Sequence, residues 1–271
     1  MKTTDENSFP TKFPYDRFQD FISPRADRFT MILKCIEKLG LLSEVITVAN
    51  NRHIFIFPPG QKSLRLTRGV FPFKDENPFL LSAHYDRVEG SQGANDNSIS
   101  VFHLLRAASV FMKQQIDRWL IVFTDKEELK TGETLEMQGS FTLAGKLRSW
   151  GLDKARVYNF DACGCGSAFI FSTTTDNILK NSEKQNLLIL RNNIRQLRDH
   201  ALKTANHQRL EKVLLAPTPF SDDVGFLRAG FAAQTITILP VEEADQFESI
   251  LRSRDDLADL IITGKIRERD E

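Results

Sequence analysis

Three apolar runs in the chain end on residues that could do chemistry. Phe79-Leu80-Leu81-Ser82-Ala83 stops at His84-Tyr85-Asp86. Trp119-Leu120-Ile121-Val122-Phe123 stops at Thr124-Asp125-Lys126-Glu127-Glu128, and Ala155–Phe160 stops at Asp161. A polar loop with Gly90 and Gly93 follows the first run and brings Asp96 to the doorstep of a helix. A single His-x-Asp arises often by chance, and Glu127-Glu128 alone reads as a solvated acidic turn. Their coincidence is more informative, because ligands in open α/β sheets bind outside the carboxyl ends of the strands. Carboxylates at three strand ends, with Asp96 beside them, would crowd like charges unless a cation sat among them. One imidazole with several carboxylates and no cysteine pattern suits zinc, manganese or cobalt, and does not suit a structural cysteine-type zinc site. Adjacent loop residues can point in different directions. Of Glu127 and Glu128, one can therefore bind metal while the other serves as a base, an arrangement fit for hydrolysis.

The elements that would carry these residues follow from hydrophobic periodicity. A helix is expected from Ser23-Pro24, with Phe29, Ile32, Leu33, Ile36 and Leu39 on one face and Gly40 at its end. His53–Phe57 reads as a strand closed by Pro58-Pro59-Gly60, and residues 61–76 hold another short strand or two. Ile99–Lys113 is helical, with Val101, Leu104, Leu105, Ala108 and Phe111 on one face and Asn97 or Ser98 as the N-cap. The continuous apolar run Trp119–Phe123 fits a strand covered on both faces, as in a parallel sheet. A short helix runs from Gly139-Ser140 to Trp150, and further strands fall at Phe169–Phe171 and Gln234–Leu239. Long amphipathic helices are expected over about Ile178–Thr204 and Ala244–Ile262, with Thr218–Asp223 as a loop. The order of elements predicts an α/β fold with a largely parallel sheet. Of the other histidines, His53 opens a strand, His103 sits on a helix flank, and His200 and His207 are expected at the surface.

Composition narrows the function classes. Lys+Arg and Asp+Glu both number 36, so the formal net charge is zero and gives no electrostatic case for nucleic acid or an anionic membrane. No apolar run is long enough to span a bilayer, and the polar, acidic Met1–Asn7 does not read as a signal peptide. Three cysteines make no disulfide framework, so a reducing, cytoplasmic setting is expected, with Cys163 and Cys165 as small buried side chains at a strand end. The 271 residues are expected to form a single domain, with residues 1–23 as a surface arm laid over it.

The segments His84-Tyr85-Asp86, Gly93-Ala94-Asn95-Asp96-Asn97, Phe123–Glu128, Asn159-Phe160-Asp161 and Ser221-Asp222 resemble the co-catalytic zinc exopeptidases that include bacterial leucyl aminopeptidases. Glutaminyl cyclases share that fold, and the resemblance runs in order from about Asn51 to the C-terminus. It implies an αβα sandwich with a central mixed, largely parallel sheet, and a peptide or aminoacyl substrate. By position, Asp96 would bridge two zinc ions, His84 and Asp161 would complete one, and Glu128 would serve the other. Glu127 would be the general base, and Asp86 would hydrogen-bond His84 and fix its tautomer. The resemblance also implies a cis peptide at Asp86–Arg87. The chain departs from the family where a histidine should close the second metal: Leu251 stands there, and no histidine follows His207. Asp222, Asp223 or Glu242 could supply an oxygen instead. The reading is a metal-dependent aminopeptidase with one tight zinc. The alternatives are an inactive peptidase-like binding domain and, after it, a glutaminyl cyclase.

Overall fold

A computed structural model describes residues 14–58, 78–252 and 262–263. Its strands are β1 (Leu42–Val48), β2 (Asn51–Phe57), β3 (Phe79–His84), β4 (Trp119–Thr124), β5 (Arg156–Phe160), β6 (Ala168–Ser172), β7 (Lys212–Ala216), β8 (Ala232–Leu239) and β9 (Ile262–Thr263). They form one mixed sheet in the order β1-β2-β4-β3-β5-β8-β6-β7-β9. The centre, β4-β3-β5-β8, is parallel throughout. Antiparallel pairing begins outside it, at β2 on one side and β6 on the other.

Side chains alternate across the sheet, and each set meets its own layer of helices. On one face Ile54, Ile56, Ala83, Ile121 and Phe123 pack with α1 (Phe18–Phe21), α2 (Arg28–Lys38) and α3 (Ile99–Lys113). On the other, Phe55, Phe57, Leu80, Leu120 and Val122 pack with α4 (Gly139–Ser149) and α7 (Asp222–Arg228). The remaining helices are α5 (Thr174–Ile178), α6 (Gln185–His207) and α8 (Val241–Arg252). Every residue of β4 is buried, as its unbroken apolar run predicts. The architecture is the αβα sandwich expected from the sequence. No helix among the described residues is long and apolar enough to cross a membrane.

Register places the chemistry. His84, the last residue of β3, pairs with Thr124, the last of β4. On the other side Ser82 pairs with Asn159, so two residues on His84 comes level with Asp161. The strand ends therefore meet at one edge of the central sheet.

Several boundaries differ from the sequence reading. The first helix starts at Arg28, not at Ser23-Pro24, because Asp27 caps it: its carboxylate accepts from the Thr30 backbone N–H at 3.1 Å. β1 has only Ile46 buried, so it lacks the alternation that would have announced it. It pairs with β2 through Ala49 and Asn50, both at positive φ (48° and 67°), as a tight hairpin turn requires. β7 was likewise unexpected. The helix expected over Ile178–Thr204 is α6, which begins only at Gln185, with the short α5 ending at Ile178, and Asp222 already opens α7 rather than closing a loop. Neither Asn97 nor Ser98 caps α3 with its side chain: Ser98 donates to the Gly93 carbonyl and Asn97 to that of Phe160. Within the expected N-terminal arm, Phe21 is buried against Phe102, with ring centroids 5.2 Å apart. The strands expected in residues 61–76 and the last helix beyond Arg252, including Leu257, Leu260 and Ile261, lie outside the described residues, and Ile262, its expected end, belongs to β9.

Asp176 joins α5 to α6. Its buried carboxylate meets Arg191 at 2.6 Å, Arg195 at 3.0 Å and Arg198 at 3.7 Å. Burial alone would raise its pKa, but hydrogen bonds from Arg195 and Arg191 and the charges around it outweigh that and hold it below 3.8. A depressed folded-state pKa contributes stability above the unfolded value and loses it as pH falls through the folded one. Asp176→Asn is therefore expected to cost about 1.5–3 kcal/mol near neutrality, the range for hydrogen bonds to charged groups. The deficit should close as the pH falls below 3.8, measured by urea unfolding of both proteins across that range.

Candidate metal centre

His84 is fully buried at the end of β3, and three carboxylates surround its ring. Its Nε2 lies 3.0 Å from Asp96 Oδ1 and 3.6 Å from Asp161 Oδ1, and its Nδ1 lies 3.3 Å from Asp86 Oδ1. Despite these distances, neither ring nitrogen makes a hydrogen bond of acceptable geometry, and neither does Asp161 Oδ1. Ligand atoms of His84, Asp96 and Glu128 converge within 4.8 Å of one another. Burial alone would lower the His84 pKa, yet the facing carboxylates of Asp161, Asp86 and Asp96 raise it well above 6.5. A buried imidazole nitrogen facing carboxylate oxygens without a hydrogen bond is what a divalent cation among them would satisfy. The donor set, one nitrogen and several oxygens, suits zinc or manganese.

Asp86 ties this cluster to the next strand end. While one oxygen faces His84, its carboxylate accepts the backbone N–H groups of Glu127 at 3.1 Å and Glu128 at 3.0 Å. Burial opposes ionisation of Asp86, but His84 and these two amides overcome it and lower its pKa. The loop after β4 is thus held to the histidine that it faces. Glu128 points to the cluster and Glu127 does not join it, as adjacent loop residues can. Burial, reinforced by the charges of Asp222, Asp161 and Asp86, pushes the Glu127 carboxyl up to about 9. Gln138 Nε2 donates to Glu127 Oε1 at 3.3 Å. Glu128 is raised as well, by burial and then by Asp96. Carboxylates that push one another's pKa upward are relieved by a positive charge placed among them.

The other oxygens considered from sequence do not join the converging group. Asp222 accepts from Thr124 Oγ1, and burial raises it to about 6. Asp223 is fully buried, raised to about 7 by burial, and neither of its carboxylate oxygens has a hydrogen-bond partner. Glu242 is exposed on the first turn of α8. The group contains no second histidine. His103 bonds Tyr15 Oη at 2.7 Å and the Cys163 carbonyl at 3.2 Å, and His200 bonds Tyr158 Oη at 2.9 Å. Leu251 lies on α8, with its side chain outside the description. Cys163 is buried as expected, but Cys165 is exposed.

Two features were not foreseen. The cis peptide joins Asp96 to Asn97, not Asp86 to Arg87. At Asp86 the backbone carbonyl is committed to Arg28 and the side-chain carboxylate to the Glu127–Glu128 amides. Asn97 is fixed beside Asp161, donating to the Phe160 carbonyl at 2.7 Å and accepting from the Ala162 N–H at 3.3 Å. His53 also lies close by. It is fully buried, accepts from the Asp125 N–H at 3.3 Å, and has its pKa pulled down to about 4 by burial. The one sequence hint for it was its place in an otherwise apolar strand.

A sequence profile described as peptidase family M28 matches residues 69–264. Among solved structures, the fold is similar to that of a glutaminyl cyclase from Porphyromonas gingivalis, with a TM-score of 0.55 and 17% identity over 84% of this chain and 83% of that one. It is similar to a leucine aminopeptidase precursor from Bacteroides thetaiotaomicron VPI-5482, with a TM-score of 0.53 and 15% identity over 82% of each chain. A glutaminyl cyclase from an Acidobacteriales bacterium gives a TM-score of 0.55 and 15% identity, covering 87% of this chain and 82% of that one. At these identities the likeness is one of fold. No curated protein matches the sequence.

Asp96 is the carboxylate nearest His84 Nε2, and it also belongs to the group with Glu128. Asp96→Ala is expected to abolish tight zinc binding in calorimetric titrations of the metal-free protein. Undiminished zinc affinity in the variant would mean that the cation sits elsewhere.

Proposed function

The chain belongs to peptidase family M28, and we propose that it is a metal-dependent aminopeptidase-like hydrolase that removes N-terminal residues from peptides. The observation that carries this reading is His84 Nε2, buried, without a hydrogen bond, and facing the oxygens of Asp96 and Asp161. His84, Asp96 and Asp161 would hold one zinc tightly. A second position would rest on Asp96 and Glu128 alone, fewer than the three protein ligands a zinc site ordinarily has. Bound zinc supplies Lewis acidity, polarising the substrate carbonyl and acidifying water.

The chain's own residues do the rest. Asp86 faces the His84 ring and, through the Glu127 and Glu128 amides, fixes the loop that carries the base. Glu127 takes a proton onto a carboxylate oxygen as water adds to the scissile carbonyl. It then returns that proton to the departing amine nitrogen as the C–N bond breaks, leaving a carboxylic acid, which loses its own proton to the released amine. Gln138 Nε2 steadies the Glu127 carboxylate between these transfers.

The test is a panel of aminoacyl chromogens together with a glutaminyl-peptide cyclisation assay on zinc-loaded protein. Release of the N-terminal residue is expected. Cyclisation without hydrolysis would assign the chemistry named for the Porphyromonas gingivalis protein, and zinc binding without either reaction would leave a peptidase-like binding domain. Glu127→Gln is expected to keep its zinc and lose on the order of 10² to 10⁴ in rate, because glutamine is isosteric and cannot accept the proton. Turnover like that of the unmodified protein would assign the base to another group.

A further inference from the structure

The loop from Tyr85 to Gly93 separates His84 from Asp96, and a single buried side chain from another part of the chain grips both ends of it. Arg28, the first residue of α2, is 6% exposed. Its Nη1 donates to the carbonyls of Tyr85 and Asp86, both at 3.1 Å, one and two residues past His84. Its Nη2 donates to the carbonyls of Gln92 at 2.6 Å and Gly93 at 3.4 Å, just ahead of Asp96. A planar guanidinium has the fixed fork of donors needed to span two carbonyl pairs, whereas an ammonium is a point charge. The fit is close. Gly93 has φ +52°, and a Cβ there would come within 2.7 Å of the Asp96 carbonyl and 3.0 Å of Arg28 Nη2.

The loop answers in kind. Arg87, from its first half, donates to the carbonyls of Ile22 at 3.2 Å, Ser23 at 3.3 Å and Pro24 at 2.6 Å. The two arginines therefore cross in opposite directions between the segment ahead of α2 and the loop. Phe21 lies under the Arg28 guanidinium, 5.1 Å from its ring centroid, and is itself buried against Phe102 of α3. The segment from Phe21 to Arg28 is thereby anchored to the helix that begins three residues past Asp96.

We propose that Arg28 is a positioning residue for the cation site, fixing the separation of His84 from Asp96 by clipping the two ends of the loop between them, with Arg87 as the return clasp. This rests on the reading of His84 and Asp96 as cation ligands. Hydrogen-bonding partners behind metal ligands typically account for 10–100-fold in affinity when removed. Arg28 is two carbonyl pairs rather than one step from the ligands, and its loss falls in the same range.

The experiment is calorimetric zinc titration of the metal-free, full-length chain and its Arg28→Lys, Arg87→Lys and Ile36→Ala variants, each at a temperature well below its melting transition. Ile36 lies on α2 itself, buried in the core, and makes none of the hydrogen bonds of the clasp, so it controls for loss of stability alone. Arg28→Lys is expected to bind zinc at least about tenfold more weakly. Arg87→Lys should weaken it less, and Ile36→Ala should leave it unchanged. Undiminished affinity in Arg28→Lys, with normal binding by the unmodified protein, would overturn the clasp and leave the cation site standing. An equal loss in Ile36→Ala would overturn it too, since affinity would then follow stability. If Arg28→Lys does not fold, undiminished affinity in Arg87→Lys overturns the proposal and weakened affinity supports it. Failure of the unmodified protein to bind zinc would overturn the site itself and the clasp with it.

Discussion

Carboxylates as close as those around His84 repel one another unless positive charge stands between them. Asp86, Asp96 and Asp161 all lie within 3.6 Å of one buried ring. Glu127 and Glu128 come from the adjacent strand end, and Asp222 and Asp223 lie behind them at full burial. The raised pKa values of Glu127, Glu128, Asp222 and Asp223 express that repulsion together with burial. No arrangement of this kind arises from packing alone, because each buried anion disfavours its neighbours. The parallel sheet makes the crowding possible by bringing separate strand ends level. The loops then make it specific, through backbone amides aimed at Asp86 and side chains such as Asn97 aimed at the next strand end.

Much of this was legible in the sequence. The candidate ligands were marked by type and by position: apolar runs that stop abruptly at acids or a histidine are visible without coordinates. β4 was equally plain, because a strand buried on both faces cannot hide its apolar character. What escaped notice did so for physical reasons. β1 is mostly exposed, so only Ile46 faces the core and the period-two signal is faint. The start of α2 was misplaced because Pro24 resembles a helix opening, whereas Asp27 supplies the cap that the backbone uses. Arg28 and His53 were passed over for a deeper reason. Their partners are main-chain atoms distant in sequence, and a contact to a backbone carbonyl or amide leaves no mark on residue type.

The site is accordingly assembled from two kinds of information. The identity of the candidate ligands shows at the strand ends and just ahead of α3, and can be read one residue at a time. Ligand spacing resides in hydrogen bonds that join loops to helices, as where Asp86 holds the Glu127–Glu128 amides and Arg28 holds four carbonyls. The expected cis peptide illustrates the difference. It was expected at Asp86–Arg87 and lies instead at Asp96–Asn97, where the Asn97 side chain is committed to Phe160 and Ala162.

The register of β3 carries a consequence for how such a chain can change over time. β3 is paired on both sides, with His84 opposite Thr124 and Ser82 opposite Asn159. Its side chains alternate between the two helix layers, so losing or gaining one residue would exchange Leu80 and Ala83 between opposite cores and turn the imidazole to the wrong face. Substitutions within the strand can be absorbed by repacking, whereas a change of length cannot. Descendants of this sequence are therefore free to vary in the residues that fill β3, but the count from Phe79 to His84 is inherited as a fixed measure.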